Sequence, residues 1–202
     1  VETSQFIART LDEAGVPGTI CRDGLGVVVD MAVGSPSDDA PLIAIRGDID
    51  ALRMPDEKSV EYASQVPNVA HACGHDVHTS VLIGAALAAS RVAADEADNE
   101  FVPGWRLRFL FQPAEETSQG ADWLVEQGVM DGVDAILGLH VDPERTVGTV
   151  GIRYGVLTAN CDEVVMIVGG HGGHAARPHH TLDPIAAAAH LVSTLYEFLP
   201  RS

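Results

Sequence analysis

The sequence predicts an α/β protein built on a largely parallel sheet. Two observations indicate this: short apolar segments of strand length alternate with longer helical segments, and polar residues directly follow three of the strand segments. Alternating strands and helices are typical of α/β folds. In open α/β sheets the active site forms outside the carboxyl ends of the strands. We therefore expect one functional site at one edge of the sheet.

The individual elements follow from apolar periodicity and from the Gly, Pro and Ser turns between the periodic segments. In chain order they are a helix over residues 4–14, strands over 26–33 and 41–46, a helix over 77–94, a strand over 105–111, a helix over 117–127, and strands over 135–139 and 162–168, with a last helix over 183–199. Asp183 is the expected N-cap of this last helix, and Pro184 suits its first position. The acidic residues 95–100 are expected to form a surface loop.

Three of the predicted strands end at polar residues. Asp48 and Asp50 follow one strand, Glu115 and Glu116 follow another, and His140 ends a third. The adjacent glutamates point in different directions in an extended segment or a tight turn. One can therefore bind a metal while the other moves a proton, as metal-assisted hydrolysis requires. A solvated charged turn is the commoner interpretation of such a pair, and His140 could equally be a core histidine at a strand end.

Residues 71–78, His-Ala-Cys-Gly-His-Asp-Val-His, carry the strongest chemical signal. They gather one thiol, three imidazoles and one carboxylate ahead of an alanine-rich helix. Cys73 and His75 are donors that zinc and its late-transition neighbours take, and at spacing i and i+2 they face one point only from a turn or an extended segment. Any one of these residues alone would be a buried cysteine or a satisfied histidine, but five together favour a metal site.

Composition limits the class of protein and its partners. The apolar content of 46% is sufficient for a buried core, and the net charge of −17 argues against binding to nucleic acid or to an anionic membrane. No continuous apolar run reaches the roughly 18 residues of a membrane span, and no signal peptide begins the chain. The three cysteines (Cys21, Cys73 and Cys161) are odd in number and far apart, which indicates a reducing compartment. We expect a soluble, cytoplasmic protein.

Two further features concern the source and the extent of the chain. Lys58 is the only lysine among 12 basic residues. An acidic, lysine-poor surface suits high salt, so a halophilic source is expected, with ordinary acidic composition as the alternative. Because the first helix starts without a lead-in after Val1, the sequence is expected to be a segment of a longer chain.

Four motifs together carry a family resemblance. They are His71–His78, Phe111–Glu116 (Phe-Gln-Pro-Ala-Glu-Glu), Gly138–His140 (Gly-Leu-His), and Gly172–His179 (Gly-Gly-His-Ala-Ala-Arg-Pro-His) with Asp183–Ile185. In this order and over essentially the whole chain, they resemble the amidohydrolase branch of the co-catalytic metallopeptidases. That branch includes hippurate hydrolase, N-acyl-amino-acid amidohydrolases and the plant auxin-conjugate hydrolases.

The resemblance implies a pair of divalent metal ions (zinc, manganese, cobalt or nickel) and roles for ten residues. The implied metal ligands are Cys73, His75, Glu116 and His140. The implied catalytic residues are Glu115, as general base and acid, together with His174 and Asp50. The residues implied to orient the ligands from behind are Asp76, Asp48 and His78, and Asp50 shares that task. His174 would reach the active site of the partner subunit and hold the substrate or the developing oxyanion.

The resemblance also implies the domain organisation. Residues 1–155 would form the first part of a three-layer α/β/α zinc-peptidase-like catalytic domain. Residues 156–202 would form the first βα unit of an α+β, ferredoxin-like lid and dimerisation domain, through which the intact enzyme would form a homodimer. Members of the family continue beyond this point and supply a last histidine ligand, so the chain is expected to be incomplete at its C-terminal end.

The predicted function is hydrolysis of the amide bond of N-acyl amino acids or similar small conjugates such as hippurate. Two alternatives stay open at this point. The chain could be an inactive, metal-binding and dimerising remnant of such an enzyme. It could also be a dipeptidase of the same superfamily, although the Cys73-Gly74-His75 form of the motif resembles the amidohydrolase branch more closely.

Overall fold

The structure is a computed structural model that describes residues 1–95, 104–158 and 164–199. The chain divides into two compact units, Val1–Val147 and Gly148–Ser202. The domain boundary expected after residue 155 stays a prediction. Most of the expected acidic surface loop (residues 95–100) lies outside the described residues, as does Cys161.

In its described residues, the first unit contains three helices and five strands. They are α1 (Glu2–Glu13), β1 (Thr19–Ile20), β2 (Val27–Val33), β3 (Leu42–Asp48), α2 (His75–Asp95), β4 (Trp105–Gln112), α3 (Gly120–Val125) and β5 (Val133–Gly138), with a short 3₁₀ turn at Arg22–Gly24. Helix α2 begins two residues earlier than predicted, at His75 itself. Helix α3 is shorter than the predicted segment 117–127, since Ser118 has a positive φ of 54° and interrupts helical geometry ahead of it.

The five strands form one sheet in the order β1-β2-β4-β3-β5. Strands β3, β4 and β5 are parallel, whereas β1 and β2 run antiparallel to their neighbours. The prediction of a largely parallel sheet is therefore wrong for this edge. Only residues 34–41 connect β2 to β3. A parallel pair needs a crossover of about a dozen residues or more, so the chain reverses direction there instead.

Apolar residues of alternating strand positions build a core on each face of the sheet. On one face, helices α1 and α2 contribute Ile7, Leu11, Leu82 and Ala86, which pack against Val27, Val29, Phe109 and Phe111. On the other face, Leu124 and Val129 pack against Ala44 and Leu110. Because successive strand side chains point to opposite faces, Phe109 and Leu110 belong to different cores. Helices thus cover both faces, and the α/β prediction is confirmed.

Helix α2 is long and apolar. Its residues 75–94 are long and apolar enough to cross a membrane by length and composition alone, although 22% of that stretch is buried inside this unit. The sequence-based expectation concerned a continuous apolar run, and polar residues such as Asp76 and Arg91 interrupt this stretch. A helix packed on a protein core passes the same test, and Leu82 and Ala86 are such core residues. That the protein has no membrane partner stays a prediction.

The carboxyl ends of the central strands meet the start of α2. Asp48 of β3 pairs with Gln112 of β4 at the last register position. At Gly47, an added Cβ would lie 3.2 Å from the Leu82 side chain and 3.4 Å from the His78 carbonyl oxygen. A glycine there lets the first turns of α2 approach the sheet closely. The segment rich in histidine is thereby held against the end of β3.

The second unit contains a 3₁₀ turn at Pro178–His180 and helix α4 (Pro184–Phe198). The predicted cap is confirmed: the Asp183 carboxylate accepts hydrogen bonds from the backbone N–H groups of Ile185 (2.9 Å) and Ala186 (3.2 Å). The predicted strand over 162–168 is not formed in its described part, residues 164–168.

Candidate metal centre

His75, the first residue of α2, has one ring nitrogen satisfied and the other bare. Its Nδ1 faces two acceptors of Asp50, the backbone oxygen at 3.0 Å and carboxylate Oδ1 at 3.3 Å. Nδ1 therefore carries the proton, and Nε2 presents a lone pair. Nε2 is buried and has no hydrogen-bond partner within the described residues. A buried polar atom without a partner costs about 1–3 kcal/mol, so this nitrogen is suited to a cation.

Three carboxylate oxygens surround the bare nitrogen. Oxygens of Asp48, Glu115 and Glu116 each lie 3.7 Å from His75 Nε2. Both oxygens of Asp48 are already engaged, one with His78 Nδ1 at 2.6 Å and the other with the Arg46 guanidinium at 2.7 Å. The two glutamates are therefore the carboxylates of this group that can share a cation with His75.

Cys73 and His140 form a second pair of donors. Cys73 Sγ lies 3.4 Å from His140 Nε2, while His140 Nδ1 lies 2.7 Å from the Val141 carbonyl oxygen and donates to it. His140 Nε2 is thus also the ring nitrogen with the lone pair. Partial burial and the negative charges of Glu116 and Glu115 raise the pKa of the Cys73 thiol. A nearby divalent cation would reverse this effect, because metal coordination favours the thiolate.

The donor set fits a divalent ion of the zinc type. Zinc bonds to nitrogen, oxygen and sulfur measure about 2.0–2.3 Å, so two donors on one ion lie roughly 3.3–3.9 Å apart. The separations of 3.4 Å and 3.7 Å match this range. Among the residues that the structure describes, three groups of three possible donors share His75. One of them contains Asp48 and His78, which are already hydrogen-bonded to each other, and the other two contain Cys73, His75, His140, Glu115 and Glu116.

His78 is buried next to these groups, but both of its nitrogens are occupied. Nδ1 donates to Asp48 Oδ1, and Nε2 accepts from the Val141 backbone N–H at 2.9 Å. His78 thereby ties β3 to the residue after His140. Burial raises the pKa of Asp48, but the hydrogen bond from His78 and the positive charge of Arg46 act in the opposite direction, and that pKa is lowered. Asp48 and His78 therefore support the donors.

Asp50 connects two donor segments. Beyond its contacts with His75, its Oδ2 accepts a hydrogen bond from the Glu116 backbone N–H at 3.1 Å. Ala114, two residues earlier, has a positive φ of 50°, which turns the chain at the end of β4. One carboxylate thus orients both the imidazole of His75 and the loop that carries the glutamates, as residues behind metal ligands commonly do.

One predicted residue of the first unit, Asp76, is not brought into this cluster. Asp76 is exposed, and among the described residues no side-chain hydrogen bond joins it to a donor. The helical period explains this: His75, His78 and Thr79 share the buried side, and Asp76 is rotated about 100° from His75. His174 belongs to the second unit, where its Nδ1 accepts from the Ala176 backbone N–H at 3.1 Å. The roles expected for both residues stay predictions.

Three supporting residues received no role from the sequence. Thr79 Oγ1 donates to the His75 backbone oxygen at 2.7 Å and lies 3.2 Å from that of Asp48. Arg46 Nε donates to Gln112 Oε1 at 2.8 Å. Only a weak signal in the sequence indicated a supporting role for Gln112. It is one polar residue at the end of a strand segment, and in the structure the last four positions of that strand are all buried.

Comparisons with known proteins identify the family of this chain. The model of peptidase family M20/M25/M40 matches residues 44–199. The N-acyl-L-amino acid amidohydrolase of Geobacillus stearothermophilus is 39% identical over 201 residues, which cover 99% of this chain and 52% of that protein. The N-acetyl-L-cysteine deacetylase of Bacillus subtilis is 40% identical over 201 residues, covering 100% of this chain and 46% of that protein.

A solved structure extends the likeness to three dimensions. The Bacillus subtilis YXEP protein, described as a dinuclear metal binding peptidase from the M20 family, gives a TM-score of 0.68 at 39% identity. The match covers 77% of this chain and 41% of that one. The chain spans about half the length of the curated relatives it matches.

Proposed function

Because the chain belongs to peptidase family M20/M25/M40, we propose that it forms the metal-binding part of a metal-dependent amidohydrolase. Its substrates are N-acyl amino acids or similar small conjugates, in line with the names of the relatives. The observation that carries the proposal is the buried, unpartnered Nε2 of His75, which faces two glutamates beside the Cys73 and His140 pair.

The proposed ligands are Cys73, His75, Glu116 and His140. Their mixture of thiolate, imidazole and carboxylate suits two ions of the zinc, manganese, cobalt or nickel class. When bound, such ions polarise a carbonyl group and lower the pKa of a bound water. Asp50 and Asp48 hold the protein groups in place, the first through His75 and the Glu116 backbone and the second through His78.

The two glutamates differ in exposure, which supports the proposed division of roles. The Glu115 side chain is 41% exposed and that of Glu116 is 25% exposed, although Glu116 is the more exposed residue when its backbone is included. The side-chain values are the relevant ones, because the carboxylates carry the chemistry. The more accessible Glu115 is the proposed general base, which takes a proton from water and passes it to the leaving nitrogen. Glu116 is the proposed ligand, because its backbone is anchored to Asp50 and its charge acts on Cys73 more strongly than that of Glu115.

The remaining parts of the proposal concern the second unit and the cell. His174 contacts the substrate or its oxyanion from a partner subunit, the second unit mediates a homodimer of the intact enzyme, and the protein is cytoplasmic. Sedimentation of this chain at several concentrations tests whether the second unit as given is sufficient for the dimer, and a monomer at all of them would show that it is not.

The test of the activity is hydrolysis of hippurate by the 202-residue chain with added manganese, cobalt, nickel or zinc. Glu115→Gln should retain its metal, measured by mass spectrometry, and lose about 10²–10⁴-fold in turnover. The matched control is Glu13→Gln on α1, which should leave turnover unchanged. Equal turnover of Glu115→Gln and the control would reject Glu115 as the base.

A second candidate function is metal binding without catalysis. It is favoured by the extent of the match, since the chain covers only about half the length of its relatives. The chain would then bind metal without hydrolysing amides by itself. Two equivalents of bound metal without hippurate or dipeptide hydrolysis would support this alternative. Loss of metal stoichiometry in Cys73→Ser would show that the thiol is a ligand in either case.

A further inference from the structure

A loop clamp lies beside the Cys73 segment, outside the donor set. The chain leaves the edge of the sheet after Asp50 and returns at residue 70, where Ala70 pairs with Leu52. Within this excursion the Asp56 carboxylate, 7% exposed, accepts hydrogen bonds from the backbone N–H groups of Lys58 (3.0 Å) and Ser64 (2.8 Å). One short side chain therefore closes the loop on itself.

Lys58, the only lysine of the chain, extends this closure to the metal centre. Its Nζ lies 3.3 Å from Asp56 Oδ2 and donates to the backbone oxygen of His71 at 3.4 Å. His71 lies two residues before Cys73. Asp56, Lys58 and the His71 carbonyl together are the loop clamp.

The segment that carries Cys73 has few other restraints. Between the Ala70 pairing and the first turn of α2, the Lys58 contact is the one backbone hydrogen bond of residues 71–73 within the described part of the chain. The His71 imidazole adds no anchor through Nδ1, which is buried without a partner among the described residues. Cys73 Sγ must nevertheless stay near His140 Nε2, and ligand sites tolerate displacements of only about 0.5 Å.

We infer that Asp56 and Lys58 are positioning residues that hold the Cys73 thiol at the metal centre. The inference rests on the proposed function, since it assumes that the thiol is a metal ligand. Lys58 is 43% exposed, and an exposed ion pair contributes little to the stability of the fold. The clamp should therefore affect the affinity for metal far more than the stability of the fold.

The main experiment is titration of the chain with Co²⁺, followed by the thiolate-to-cobalt absorption in the near ultraviolet. Residues that orient metal ligands change affinity by about 10–100-fold when they are substituted. Because the clamp acts through the backbone, we expect the lower end, about tenfold, for Lys58→Met and for Asp56→Ala. Lys58→Arg keeps the cation and its donors and should restore most of the affinity. The control, Arg53→Met, removes a cation from the same loop and should behave as wild type.

A second measurement uses the metal-free chain and separates this inference from the proposed function. Alkylation of each cysteine is followed by mass spectrometry, and Cys73 should react faster in Lys58→Met than in wild type while Cys21 is unchanged. Faster labelling in a chain whose wild type gives no thiolate-to-cobalt band would uphold the clamp and overturn the metal-centred function. If wild type gives the cobalt band, and Lys58→Met has the same cobalt affinity and the same rate of Cys73 labelling as wild type, the clamp alone would be overturned. Circular dichroism confirms that Lys58→Met is folded.

Discussion

Asp48→Asn tests whether the supporting carboxylate behind His78 stabilises the site as the geometry indicates. The Asp48 side chain is 2% exposed and makes two charged contacts, with His78 and with Arg46. A hydrogen bond to a charged group contributes about 1.5–3 kcal/mol and a neutral one about 0.5–1.5 kcal/mol, so the His78 contact weakens by about 1–1.5 kcal/mol. The partly exposed Arg46 pair adds about 1 kcal/mol. We expect the free energy of unfolding to fall by about 2–3 kcal/mol.

The assay is equilibrium unfolding in urea, followed by the fluorescence of Trp105 and Trp123. The matched control is Asp134→Asn at the start of β5, where the carboxylate accepts one hydrogen bond from the Leu42 backbone N–H at 2.8 Å. The amide oxygen can replace that acceptor, so the control should lose no more than about 0.5–1 kcal/mol. If the two variants lose the same free energy of unfolding to within about 0.5 kcal/mol, the Asp48 contacts are not important for stability. Ordinary surface substitutions already differ by about that amount.

Three further predictions concern other parts of the first unit. Gly74→Ala should destabilise the chain by about 1–3 kcal/mol, because Gly74 has a φ of 85° and an added Cβ would clash with the residue after His140. The control is Gly84→Ala inside α2, where an added Cβ meets open space, and it should stabilise the chain by about 0.5–1 kcal/mol. Urea unfolding that ranks the two variants in the opposite order would contradict this account. Arg108→Met should cost about 1–2 kcal/mol by the same assay, since the guanidinium makes two bonds to Asp30 (2.6 and 2.8 Å) and two to loop carbonyls (2.8 and 3.4 Å). A cost no larger than that of Arg9→Met would show that these contacts do not stabilise the chain. Hydrogen bonds from the backbone N–H groups of Ser64 and Lys58 lower the pKa of Asp56. Its contribution to the order of the loop is therefore present above the ordinary aspartate pKa of about 3.9, and it is lost as the pH falls through the lower pKa of the folded state. The NMR amide resonances of the loop report this order, and broadening of these resonances already near neutral pH would contradict the prediction.

The sequence predicted the elements of the first unit well because strong apolar runs form them. β2, β3, β4 and β5 lie within two residues of their expected bounds at each end. Strand direction was not available from these runs, since a buried parallel strand and a buried antiparallel strand carry similar residues. The short connection between β2 and β3 was the relevant signal, and it makes β2 antiparallel to β4.

For the site, residue type and spacing indicated candidate donors but not their supports, and the assignment of metal ligands, which the family resemblance implied, stays a prediction. Sulfur, imidazole and carboxylate groups at strand ends have few common purposes, so Cys73, His75, Glu115, Glu116 and His140 were recognisable along the chain. The distance of 3.4 Å between Cys73 and His140, and that of 3.7 Å between His75 and each glutamate, are properties of the folded chain.

The orienting residues were decided only by the tertiary structure. From the sequence, Asp76 beside His75 and Asp50 far from it were equal candidates, and helical geometry turns Asp76 to the surface while β3 delivers Asp50 to the imidazole. The clamp of Asp56 and Lys58 has no sequence pattern at all. A hydrogen bond to a backbone oxygen depends on where the loop returns, and local residue preferences do not encode that position.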